Sequence, residues 1–76
     1  MEGSEITDAW ILSRVKMKFM GEDVLKGNDI NVDVDKHVVT LKGTVPSEAG
    51  RARALELAKS VESVQRVVDR LTVAPK

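Results

Sequence analysis

Val38-Val39-Thr40-Leu41-Lys42-Gly43-Thr44-Val45 carries the strongest structural signal of the chain. It is rich in β-branched residues and alternates in polarity. Val39, Leu41 and Val45 share one face and Thr40, Lys42 and Thr44 the other, the period of two of a strand with one buried side. Gly43 falls on the buried side, where a missing side chain admits another backbone, so a helix is expected to cross there. Upstream, Ile30-Asn31-Val32-Asp33-Val34 alternates in the same way. Asp35-Lys36-His37 is a short polar connection, and the two runs together read as a β-hairpin.

Working outward, Val45-Pro46-Ser47 ends the strand because proline cannot donate to a ladder, and Ser47 is placed to cap a helix from about Glu48 to Val61. Ala54, Leu57, Ala58 and Val61 form its inward stripe, and the two alanines let it lie close to the sheet. A third strand runs from Val67 to Val73, with Val67, Leu71 and Val73 on one face and Asp69 between them. Before the hairpin, Ile11, Leu12, Val15 and Phe19 recur at helical spacing from about Asp8 to Met20, with Thr7 or Asp8 as the cap. Gly21 is placed to stop this helix in a left-handed conformation, and Gly27-Asn28-Asp29 is a second turn cluster.

The order helix, strand, strand, helix, strand predicts a two-layer α/β sandwich, with both helices on one face of a three-stranded sheet. Its other face is left open, lined by residues such as Thr40, Lys42, Arg70 and Thr72. The expected organisation is a flexible segment over 1–7, one domain over 8–74 and a tail over 75–76.

At 76 residues the chain has a thin core and little room for a deep substrate cavity. Apolar residues make up 42% and charged residues 32%, the balance of a globular domain. Twelve basic residues match twelve acidic ones, which argues against a nucleic-acid partner. With no cysteine, disulfides, thiolate metal sites and cysteine nucleophiles are excluded. The opening MEGSEITDAW has no basic and apolar export pattern, so no signal peptide is expected here, and no run is long and apolar enough to span a bilayer.

Taken together, these elements resemble the BON domain, named after bacterial osmotically induced and nodulation-related proteins, from about Asp8 to Val73. Asp8, Ile11, Val15 and Phe19 resemble its opening helix, and Ile30, Val32 and Val34 its first strand. Val39-Thr40-Leu41-Lys42-Gly43-Thr44-Val45 resembles its strand with a single glycine. Ala54 and Ala58 match its second helix, and Val61, Val64, Val67, Leu71 and Val73 its closing segment. The chain departs from the family at Ser63, where a glycine is usual, at Asp69, often asparagine, and at Lys36-His37, where the turn usually contains glycine. The resemblance implies an αββαβ fold with a mixed sheet. It also implies a periplasmic or envelope-associated, stress-response setting in bacteria, and attachment to phospholipid surfaces or partner proteins. It supplies no catalytic residues and no cofactor.

On the helical wheel Trp10, Met17 and Met20 occupy an arc opposite the Ile11–Phe19 stripe. Arg14 and Lys18 flank the arc on one side and Lys16 on the other, the composition of an interfacial membrane contact or a protein-docking face. Alternatively Trp10 folds back and completes a small core. His37, the sole histidine, has no second ligand in sequence and reads as an exposed hairpin residue. Glu22, Asp23, Asp29, Asp33 and Asp35 do not match an EF-hand spacing and read as a solvated end rather than a calcium site. Arg51, Arg53, Lys59, Arg66 and Arg70 make the second half basic, but Glu48, Glu56, Glu62 and Asp69 interleave with them as in a salt-bridged surface. Asp69 lies on the helix-facing side, where a carboxylate requires hydrogen bonds or a basic partner; a capping or turn-stabilising role is the expectation. The expected function is a non-catalytic binding module for phospholipid surfaces, with a protein-interaction or oligomerisation module as the rival and a monomer expected in isolation.

Overall fold

The chain runs α1 (Asp8–Met20), β1 (Ile30–Asp35), β2 (Val38–Val45), α2 (Glu48–Lys59) and β3 (Arg66–Val73) in a computed structural model that describes residues 6–23 and 30–74. The Gly27-Asn28-Asp29 cluster, residues 1–5 and the final two residues lie outside the described part. The sheet order is β1-β2-β3. β1 and β2 pair antiparallel, β2 and β3 parallel, so the sheet is mixed and β2 is central. A parallel pair needs a crossover, and α2 supplies it.

Register explains the alternation. Val32 sits beside Leu41, Val34 beside Val39, and on the other side Val39 beside Val67 and Val45 beside Val73. This apolar side is covered by α1 through Ile11 and Val15, and by α2 through Ala54, Leu57 and Ala58, all buried with Val39, Leu41, Val45 and Val61 in one cluster. Full burial of one such aliphatic side chain contributes about 1.5–3 kcal/mol. Gly50 of α2 is also buried, a packing position that the alanine stripe did not predict. α2 ends at Lys59, and Val61 returns to the core from the turn beyond it.

Both helices start on the expected caps. Thr7 accepts the Trp10 N–H at 3.2 Å and Ser47 accepts the Gly50 N–H at 3.1 Å. Ile6, just before the first cap, packs against the core. The end of α1 corrects one expectation: Gly21 has φ −85° and is right-handed. The last turn tightens instead, with Gly21 N–H donating to the Lys18 carbonyl and Glu22 N–H to the Phe19 carbonyl, which satisfies the terminal acceptors without a left-handed residue.

Left-handed residues occur elsewhere. Lys36 and His37 form a two-residue hairpin turn with φ 52° and 66°, the positive pair of a type I′ turn. Ser63 has φ 75°. These are the turn positions where the chain departs from a glycine-containing pattern, and here non-glycine residues adopt the positive φ at a steric cost. Asp8 compensates at the hairpin. Its two carboxylate oxygens accept the Lys36 and His37 N–H groups, each at 2.9 Å, tying α1 to a turn 28 residues away. Those two backbone donors, His37 first, hold the Asp8 carboxyl below its ordinary pKa. At Gly43 the structure gives a conformational reason for glycine, φ 124°.

Candidate functional site: the outward face of the first helix

Because Ile11 and Val15 point into the core, the opposite arc of α1 points away from the sheet. Trp10, Met17 and Met20 lie there, 38%, 61% and 75% exposed, and they are the large exposed hydrophobic side chains of the described residues. Trp10 does not belong to the core cluster of the described residues. Its indole is partly covered by Arg14, one turn on, whose guanidinium carbon lies 5.0 Å from the ring centroid, a cation–π contact. Arg14, Met17 and Lys18 line a shallow depression of about 240 Å³ beside it. Lys16 is exposed on the opposite flank of the arc. Arg14, Lys16 and Lys18 make no ion pair with any described residue. An exposed aromatic, two flexible methionines and three uncompensated cations can present apolar surface and positive charge to the same partner.

The other candidate residues have structural partners. Asp69 lies beside Leu41 on the core side, as alternation required, and its basic partner is Arg51 of α2. Its other oxygen accepts the Leu71 N–H at 3.0 Å, so Asp69 satisfies a backbone donor of its own edge strand. Arg51 also holds Glu48 at 3.1 Å. Arg53 bridges Glu56 at 3.0 Å and Glu22 at 2.9 Å, joining α2 to the chain just past α1, and its hydrogen bonds hold the Glu22 carboxyl below its ordinary pKa. The two arginines of α2 are therefore salt-bridged, while Lys59 at its end and Arg66 and Arg70 of β3 make no such pair with described residues.

His37 is half-buried rather than exposed, because its turn folds against the start of α1; its Nε2 lies 3.9 Å from Asp8 Oδ1. Among the described residues no three His, Asp or Glu side chains come together as a metal site. Asp29 of the acidic run lies outside them. No helix among them is long and apolar enough to cross a membrane. Three connections were missed from sequence: Asp8 to the hairpin turn, Glu22 to Arg53, and Arg51 to Asp69. Only Asp69 carried a signal, a carboxylate on an apolar face.

The model of the BON domain matches residues 7–75. Over 71 residues, 93% of its length, the chain is 41% identical to the osmotically-inducible protein Y of Escherichia coli (strain K12). It spans 35% of that relative's length.

Proposed function

This chain belongs to the BON domain family, and from that premise we propose that it is a non-catalytic binding module of a bacterial envelope protein that attaches to phospholipid surfaces through the outward arc of α1. The observation that carries this reading is the coincidence on one helix face of Trp10, Met17 and Met20 with Arg14, Lys16 and Lys18, none of them neutralised by a described carboxylate. Membrane-surface helices use this division: apolar groups enter the boundary between headgroups and acyl chains while cations meet anionic headgroups at about 1 kcal/mol each. The likeness to an osmotically-inducible protein supports an osmotic-stress role at the envelope.

Sedimentation with vesicles tests the reading. The domain pelts with vesicles containing phosphatidylglycerol at low salt, less so at high salt, and hardly with purely zwitterionic ones. Equal recovery in the supernatant with and without anionic vesicles at low salt removes the lipid reading. A rise in mass with concentration, seen by light scattering without vesicle binding, assigns the same face to protein contact.

A further inference from the structure

The face of the sheet that carries no helix holds a second uncompensated cationic feature. Lys42 of β2 and Arg70 of β3 are register partners on adjacent parallel strands, both exposed, with side chains on the same side about 4.8 Å apart in strand spacing. Like charges placed side by side repel. Elsewhere the arginines near carboxylates are paired, Arg51 with Glu48 and Asp69, Arg53 with Glu22 and Glu56, but Lys42 and Arg70 make no ion pair with any described residue. They border a depression of about 530 Å³ whose lining includes Asn31 and Thr40. Asn31 is the register partner of Lys42 on β1, so neutral donors stand next to the two cations. Asp33, also in the lining, is paired in register with Thr40 rather than with either cation.

We propose that the Lys42–Arg70 pair on the open sheet face is a binding site for a soluble phosphate monoester. A doubly charged phosphate offsets both cations, arginine and lysine supply charge-assisted donors, and Asn31 and Thr40 complete the ring of donors. Asp33, also in the lining, repels any anion and a dianion more than a monoanion, so binding requires Lys42 and Arg70 to act together against it. The ligand is soluble rather than a membrane headgroup for two reasons. Among the described residues the exposed large hydrophobic side chains belong to α1, and this face lies on the opposite side of the sandwich from them, with threonines where a membrane face has apolar anchors.

Glycerol phosphate titrated into the whole chain at constant ionic strength, followed by amide NMR shifts, tests the site. Saturable shifts centred on Asn31, Thr40, Lys42 and Arg70 are expected, weakened at least about tenfold in Lys42→Gln and in Arg70→Gln, retained in Lys42→Arg, and unchanged in Trp10→Ala. Shifts that merely follow ionic strength, or that survive both glutamine variants, overturn the proposal. Loss of phosphatidylglycerol vesicle binding in Arg70→Gln without a saturable glycerol phosphate response also overturns it, since the cations then serve the lipid surface. Failure of vesicle binding in the unaltered chain leaves this titration intact and counts only against the α1 reading.

Discussion

α1 and α2 cover the same side of the same sheet, yet their outward faces are built for different ends. α2 is small inside, with Ala54, Ala58 and Gly50 buried, and its outward arginines are consumed by Glu22, Glu48, Glu56 and Asp69. α1 buries larger side chains and leaves outside it an aromatic, two methionines and three cations that no described carboxylate neutralises. A charge that is paired within the domain is spent on holding it together; a charge and an apolar arc left together in solvent are available to a partner. The proposed contact face is accordingly the one whose groups find no partner among the described residues.

The sharpest way to break the contrast is to disturb the quiet helix. Ala58→Leu inserts volume where α2 meets the sheet and is expected to destabilise the fold by about 1–3 kcal/mol, read as a lower urea midpoint, with vesicle affinity unchanged wherever the protein remains folded. The converse variant, Trp10→Ala, removes a side chain that the core does not use. Vesicle affinity falls about tenfold or more while the urea midpoint hardly moves. Arg14→Gln and Lys18→Gln each weaken binding by about fivefold, an effect that high salt erases.

Smaller effects test the polar ties that fix the helices in place. Ser63→Gly relieves a residue at φ 75° just after α2 and is expected to raise stability by up to about 1 kcal/mol, measured by denaturant titration. The last prediction concerns acid. Asp8 and Glu22 are held below their ordinary pKa in the fold, so both bind protons more readily when unfolded. Their contribution is complete at neutral pH, persists down to the ordinary carboxylate range, and is lost as pH falls below about 4. Asp8→Asn is expected to flatten that loss in urea midpoints taken between pH 7 and pH 3, and a profile identical to the unaltered chain contradicts the assignment.

Element order, the hairpin, both caps and the core stripes were legible in the sequence because each is a local pattern: alternation through Val39, Leu41 and Val45, helical spacing through Ile11 and Val15, Ser47 ahead of Glu48. The exposed arc of Trp10, Met17 and Met20 was legible for the same reason. What the sequence did not disclose depends on long-range geometry or on backbone angles. Of the two cap candidates, Thr7 and Asp8, Thr7 takes the place, and the tie between the Asp8 carboxylate and the hairpin turn 28 residues away has no local signal. Gly21 looked like a left-handed stop, but the chain closes its last turn by shorter-range bonds. Meanwhile Lys36, His37 and Ser63 carry the positive φ values that a sequence reader gives to glycine.

Depth-dependent quenching of Trp10, the single tryptophan, reports whether the outward arc of α1 enters a lipid surface. With phosphatidylglycerol vesicles whose acyl chains are brominated near the headgroup, Trp10 emission is predicted to shift to the blue and to be quenched, more strongly than by bromines near the bilayer centre. Emission unchanged in wavelength and unquenched at either depth, under conditions where the domain is folded, contradicts it.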